Sequence, residues 1–176
     1  DIAVTSEAFI HNFDMHGFYV KTLQDFADEA EDDGWFTETA PYVGIADRGY
    51  GGRSGPIGWT VAVPVLIHDL YRYYGDVDVV RRHYRACTGY VDLLHARYPD
   101  HIIPVCYGDH EALDRIEGEL PATAHYYQWV SLVARFAEIL GESDDALTYG
   151  QRAERIRRAF QQRFVYWQTA VNTFEE

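Results

Sequence analysis

The sequence predicts an all-α protein, built from helical hairpins joined by long loops. Three observations lead there. Apolar residues recur at three-and-four spacing through most of the 176 residues, glycines stand where that rhythm stops, and two long stretches rich in Gly, Pro and aromatics lack the rhythm altogether.

Met15, Phe18, Tyr19, Leu23, Phe26, Ala27 and Ala30 trace one buried helical face, with Asp14 placed as the N-cap and Gly34 beyond the end. The segment "GPIGWTVAVPVLIHDLYRYYGD" reads as a second helix, with Trp59, Val63, Leu66, Ile67, Leu70, Tyr71 and Tyr74 on one side and Val61 and Val65 on the other. A helix apolar on both sides is a buried one, and Gly75 is its C-cap. Pro64 lies inside it, so a kink is expected where one helical hydrogen bond is removed, and Gly58 is expected to allow close approach at the loop-to-helix junction. Val80, Tyr84, Cys87, Val91 and Leu94 form a third helix that starts just after Asp76 and Asp78 and stops before Pro99. A fourth runs from about Ala122, after Pro121, to Leu140 and Gly141; a fifth runs from about Asp144 to Phe164, with Ser143 as cap and Tyr149, Ala153, Ile156 and Phe160 facing inward. The short links "YYGDVD" and "ILGESDD" make two hairpins of matching design. Residues 32 to 56 and 99 to 121 are the long loops, and loops of about 20 residues in a compact helical protein usually carry function.

The length suits one domain, and 47% apolar with 15% aromatic residues is a globular composition. Fifteen Lys and Arg against 28 Asp and Glu leave a formal charge of -13, which argues against nucleic acid and anionic membrane surfaces as partners. No apolar run reaches the roughly 18 residues of a membrane span, since Pro64, Asp69 and Arg72 interrupt the best candidate. The chain opens on Asp1 without a leader, which reads as a processed product or a piece of a longer protein. Cys87 and Cys106 are too few for a metal knuckle or a disulfide framework, and their spacing leaves pairing open.

The first long loop mixes Trp35, Tyr42, Tyr50 and Trp59 with Glu38, Asp47, Arg48 and Arg53. Flat aromatic faces stack on the C–H faces of sugars while charged groups bind hydroxyls, so this mixture suits a saccharide. The competing reading for each tryptophan is that it plugs the core. Glycoside hydrolysis needs two carboxyl groups, one acid and one base, and Asp1, Glu7, Asp14, Glu38, Asp47, Asp109 and Glu111 stand in apolar or loop context, though capping or surface roles compete at each. His11, His16, His101, His110 and His125 lack metal-ligand spacing, and no nucleophile elbow or phosphate loop is present, so neither metal nor other cofactor is called for.

Four ordered segments resemble the six-hairpin catalytic domain of bacterial alpha-L-rhamnosidases, glycoside hydrolase family 78. "DIAVTSEAFIHNFDMHGFYVKTLQDF" is similar to the helix pair after the family's Gly-Trp/Tyr-x-Gly-Asp motif, with Asp1 as its final Asp; "DGWFTETAPYVG" is similar to the family's Asp-Gly…Ala-Pro loop. "GPIGWTVAVPVLIHDLYRYYGDVDVVRRHY" resembles the Gly-Trp-Gly-x-Ala helix with its hairpin turn, and "YGDHEALD…LPATAHYYQWVSLVARFAEILG" resembles the Gly-Asp-Trp loop and the Thr-Ala-x-Tyr-Tyr helix. The resemblance implies roughly half of an (α/α)6 toroid with long loops at one end, forming the mouth of a sugar site. It implies an inverting hydrolase of terminal alpha-L-rhamnose that uses one Glu as acid and another as base, the first upstream of Asp1 and the second downstream of Glu176. Asp1 and Trp59 are carried over as sugar-binding positions, with Trp35 and Glu38 as further candidates; the isolated chain is expected to be inactive. Departures fall at Thr60 and Val61 after Gly-Trp, and at His110 in place of the Trp of Gly-Asp-Trp. The alternatives are a toroid hydrolase for another sugar, or a helical-hairpin module that binds a protein, against which the long acidic aromatic loops weigh. An open half-ring would expose apolar faces, so self-association is also expected.

Overall fold

The computed structural model describes residues 2–43, 57–106, 113 and 118–165. Every element among them is helical: α1 (Ile2–Ile10), α2 (His16–Asp28), α3 (Ile57–Thr60), α4 (Ala62–Tyr74), α5 (Val77–Arg97), α6 (Glu119–Leu140) and α7 (Ser143–Phe160), which runs on into a π-helical turn, Gln161–Val165. Helix α4 packs on α1, α2, α5 and α6, and α6 in turn packs on α5 and most extensively on α7.

The two hairpins form as expected and for the expected reason. Gly75 (φ 70°) and Gly141 (φ 80°) end α4 and α6 in the left-handed region, where a side chain would be strained. That turn lets the next amide reach back: Asp76 N–H donates to the Leu70 carbonyl at 3.3 Å and Glu142 N–H to that of Ala137 at 2.9 Å. Asp76 then caps α5, its carboxylate accepting the Val79 N–H at 2.9 Å.

Several local expectations are corrected. The segment 57–74 is not one kinked helix: the chain breaks at Val61, and Pro64 is the third residue of α4. In the first turn a proline's missing N–H has no partner to lose, whereas a continuous helix would drive the ring against the Thr60 carbonyl. Pro121 lies likewise in the first turn of α6, which starts three residues earlier than Ala122. Met15, not Asp14, holds the cap position of α2, and Asp14 instead accepts the His16 N–H at 3.2 Å. Phe18 is 60% exposed; the buried stripe of α2 is Tyr19, Leu23 and Phe26. Ser143 is the first residue of α7 rather than its cap, and Asp144 and Asp145 in that turn supply the negative charge that suits a helix start.

Hydrogen bonds tie α1 and α2 to α4. Ser6 donates to the buried Asp69 at 2.6 Å, Tyr19 donates its hydroxyl to the Ser6 carbonyl at 3.0 Å, and the Met15 N–H reaches the Tyr74 hydroxyl at 2.9 Å. On the far side, Tyr84 donates to Asp145 at 2.7 Å and Arg152 to Asp92 at 2.7 Å, joining α5 to α7. Cys87 and Cys106 are both buried and are not bridged to each other, and burial pushes the Cys87 thiol up to about 12, so it stays neutral.

The glycine that the packing requires is Gly118, not Gly58. A Cβ at Gly118 would sit 2.6 Å from the Cys106 carbonyl oxygen, whereas one at Gly58 would rest in ordinary contact, 3.5 Å from a Glu38 oxygen. Gly118→Ala should therefore lower stability by about 1–3 kcal/mol, the usual cost of forcing backbone apart in a packed site, while Gly58→Ala should fall well below that. Thermal unfolding of the two variants checks the contrast.

Candidate functional site

The site forms where the loop after α2 meets the short helix α3. In α3, Ile57 and Thr60 are buried and anchor the single turn, which leaves Trp59 half-buried at its edge. Trp59 lines a cleft of about 790 Å³ together with the start of α1, the α2 residues Phe18, Lys21, Thr22, Asp25 and Phe26, the loop residues Glu38 to Ala40, and His125 of α6. The lining mixes aromatic and apolar side chains with amine, hydroxyl, carboxyl and imidazole groups. That combination suits a small polyhydroxylated ligand with one apolar face.

Glu38 is the most perturbed acid of the site. It is 3% exposed. One carboxyl oxygen accepts the Trp59 N–H and the other faces the Thr60 hydroxyl at 3.4 Å. Burial pushes its pKa up to about 8, against the lowering effect of the Trp59 and Thr60 hydrogen bonds. Lys21 and Asp25 pair with each other one turn apart on α2. His125 is held below its ordinary value by burial, with Gln128 acting in the opposite sense.

The sequence candidates separate in space. Trp59 and Glu38 come together at the cleft. Trp35 does not line it: its ring meets Tyr90 edge-on at 5.5 Å and lies under the Arg97 guanidinium at 5.4 Å, so it packs the loop onto α5. Asp1 falls outside the described residues, as do Asp47, Arg48, Tyr50, Arg53, Asp109, His110 and Glu111. The cleft positions that sequence reasoning misses are Lys21, Thr22, Asp25 and Thr39, together with His125, which it considers only as a metal ligand. Lys21 and Asp25 carry a weak signal, an opposite-charge pair at i,i+4, which is indistinguishable in sequence from a solvated helix face. Among the described residues no three His, Cys, Asp or Glu side chains gather to hold a metal ion, and no helix is long and apolar enough to cross a membrane.

The fold is that of helical hairpins with a cleft beside the loop that follows α2, and the comparisons with known proteins place it in a family. Residues 1–174 match the model of the bacterial alpha-L-rhamnosidase 6 hairpin glycosidase domain. An alpha-L-rhamnosidase of Streptomyces avermitilis is 30% identical over 167 residues, which cover 94% of this chain and 15% of that protein. The solved structure of alpha-L-rhamnosidase from Dictyoglumus thermophilum superposes with a TM-score of 0.82 at 31% identity, covering 93% of this chain and 18% of the other. The S. avermitilis enzyme complexed with L-rhamnose superposes with a TM-score of 0.73 at 30% identity, covering 85% of this chain and 14% of the other. The chain belongs to the bacterial alpha-L-rhamnosidase six-hairpin glycosidase domain family, and its helices form part of an (α/α) toroid. It spans only a small fraction of the length of these relatives.

The raised Glu38 value fixes a pH dependence. A folded-state pKa of about 8 against an ordinary 4.5 means that the folded chain holds a proton the unfolded chain releases. The stability this contributes is complete below about 4.5 and is lost as pH rises through about 8. Glu38→Gln should flatten that decline, which denaturant unfolding of both proteins between pH 5 and pH 9 would show; parallel pH profiles would refute it.

Proposed function

We propose that this chain is a sugar-binding part of an inverting glycoside hydrolase that releases terminal alpha-L-rhamnose from rhamnosides, with the whole of residues 1–176 belonging to its catalytic domain. The carrying observation is Trp59, half-buried beside hydroxyl, carboxyl and imidazole groups in a cleft at the loop end of the helices. Support comes from a relative solved with L-rhamnose that superposes over 85% of the chain. In this reading Trp59 stacks on the apolar face of the sugar, and Asp1, the residue before Ile2 in the sequence, binds its hydroxyls.

General acid and general base are assigned to parts of the parent outside this chain. An inverting mechanism needs two carboxyl groups about 6–9 Å apart with a water between them. The described carboxyls of the cleft are already committed, Glu38 to the α3 backbone and Asp25 to Lys21. These contacts within the chain support placing the acid and the base elsewhere in the parent.

An aryl alpha-L-rhamnoside assay of the 176-residue chain and of a version extended at both ends tests this. The short chain should be inactive and the extended one active, and Trp59→Ala in the extended protein should lower kcat/KM about tenfold or more, the worth of one stacked aromatic contact. Activity in the short chain would overturn the placement of the acids, and an inactive, folded extended protein would overturn the rhamnosidase reading. Val4, Phe13, Phe18 and Leu147 are 60% or more exposed, so the isolated chain is also proposed to self-associate. Analytical ultracentrifugation should show a mass that rises with concentration; a clean monomer at all concentrations would refute this.

A further inference from the structure

Helix α3 is a single turn of four residues, Ile57–Thr60. A helix so short forms one turn's worth of its own hydrogen bonds, and its first amides have no partners within it. Something outside the turn must hold it, and with it the direction in which Trp59 points.

We infer that Glu38 is the positioning residue of the cleft: its buried carboxyl clamps α3 from across the loop and sets the orientation of the Trp59 ring toward the sugar. The inference rests on the saccharide reading above for the ligand, but its geometry stands independently. One oxygen takes the Trp59 N–H, and the other faces the Thr60 hydroxyl at 3.4 Å. With 3% exposure and a donor of α3 on each oxygen, Glu38 faces the turn that carries Trp59, and it acts through that residue. The clamp is itself anchored. Phe36, two residues before, is 3% exposed and lies 5.5 Å from the Tyr90 ring and 5.8 Å from that of Trp129, and the Thr37 hydroxyl donates to the Thr39 carbonyl at 2.8 Å. Core position is thus passed along the loop to the carboxyl and from there to the tryptophan.

The titratable and charged groups around it come from each neighbouring element: Lys21 and Asp25 of α2, which pair with each other, Tyr90 of α5, and His125 of α6. The hydrogen bonds to Glu38 come from α3, so its proton is read most directly at the Trp59 amide.

Two measurements decide the matter. In the 176-residue chain, the Trp59 backbone amide proton in ¹H–¹⁵N spectra should move downfield with a midpoint near pH 8 as its acceptor becomes a carboxylate, and Glu38→Gln should abolish that titration. A Trp59 amide that ignores pH in the wild type would overturn the clamp. In the extended protein, Glu38→Ala should weaken L-rhamnose binding about tenfold and Glu38→Gln, which keeps one acceptor, less than about threefold; in a Trp59→Ala background, Glu38→Ala should add less than about twofold. Additive losses in that cycle would make Glu38 a direct sugar ligand and overturn the positioning role. If the wild-type extended protein binds no L-rhamnose, the saccharide reading fails, and the amide titration still decides whether Glu38 holds α3.

Discussion

Phe36, held between Tyr90 of α5 and Trp129 of α6, is the contact on which the rest of the structure depends. Tyr90 and Trp129 themselves lie 4.5 Å apart and are fully buried, so the three rings join loop, α5 and α6 in one cluster. Aromatic pairs of this kind contribute about 0.5–1.5 kcal/mol each beyond the area they bury. Their greater effect is geometric. A loop would otherwise wander; with Phe36 fixed, Glu38 arrives under α3 and Thr39 and Ala40 reach the cleft wall.

The helices that support this cluster are held in two different ways. On the α1, α2 and α4 side the fastening is polar and partly buried, centred on Asp69, which receives the Ser6 hydroxyl at 6% exposure. A buried acid of this kind is tolerable because it is hydrogen-bonded, and removing Ser6 would strand it. Between α6 and α7 the fastening is apolar, with Val130, Val133, Phe136 and Ile156 fully buried, while Tyr84–Asp145 and Arg152–Asp92 add polar ties from α5 to α7. Arg157 and Arg158 on Glu154 are exposed pairs, and although Arg157 above all holds the Glu154 carboxyl down at about 2, such pairs add little to stability in water.

Much of the fold is legible in the sequence because its signals are local. Three-and-four apolar spacing marks α2, α4, α5, α6 and α7, and Gly75 and Gly141 mark two turns because a glycine directly after a periodic run supplies the left-handed residue that ends a helix. The break at Val61 is not legible. Pro64 is compatible both with a kinked helix and with the first turn of a new one, and the apolar rhythm of α3 runs on into α4, so the sequence contains no mark that separates them. Phe18 and Tyr19 are adjacent aromatics, and only the packing of α2 in the fold puts Tyr19 inside and Phe18 out.

For the site, residue chemistry alone determined which types were present: tryptophans and a glutamate in a long loop, in an acidic chain, in an order that resembles one glycosidase family. Tertiary structure decided their fates. Trp35 and Trp59 look alike in sequence, yet Arg97 and Tyr90 claim the first, while α3 turns the second toward the cleft. Glu38 reads as a carboxylate able to bind a sugar; in the fold, burial makes it hold its proton, and the Trp59 amide and the Thr60 hydroxyl meet its two oxygens. The physical reason is the same in each case. Propensity and periodicity act between near neighbours along the chain, whereas desolvation and hydrogen bonding depend on groups brought from distant positions, as His125 of α6 is brought to the same cleft as Lys21 of α2.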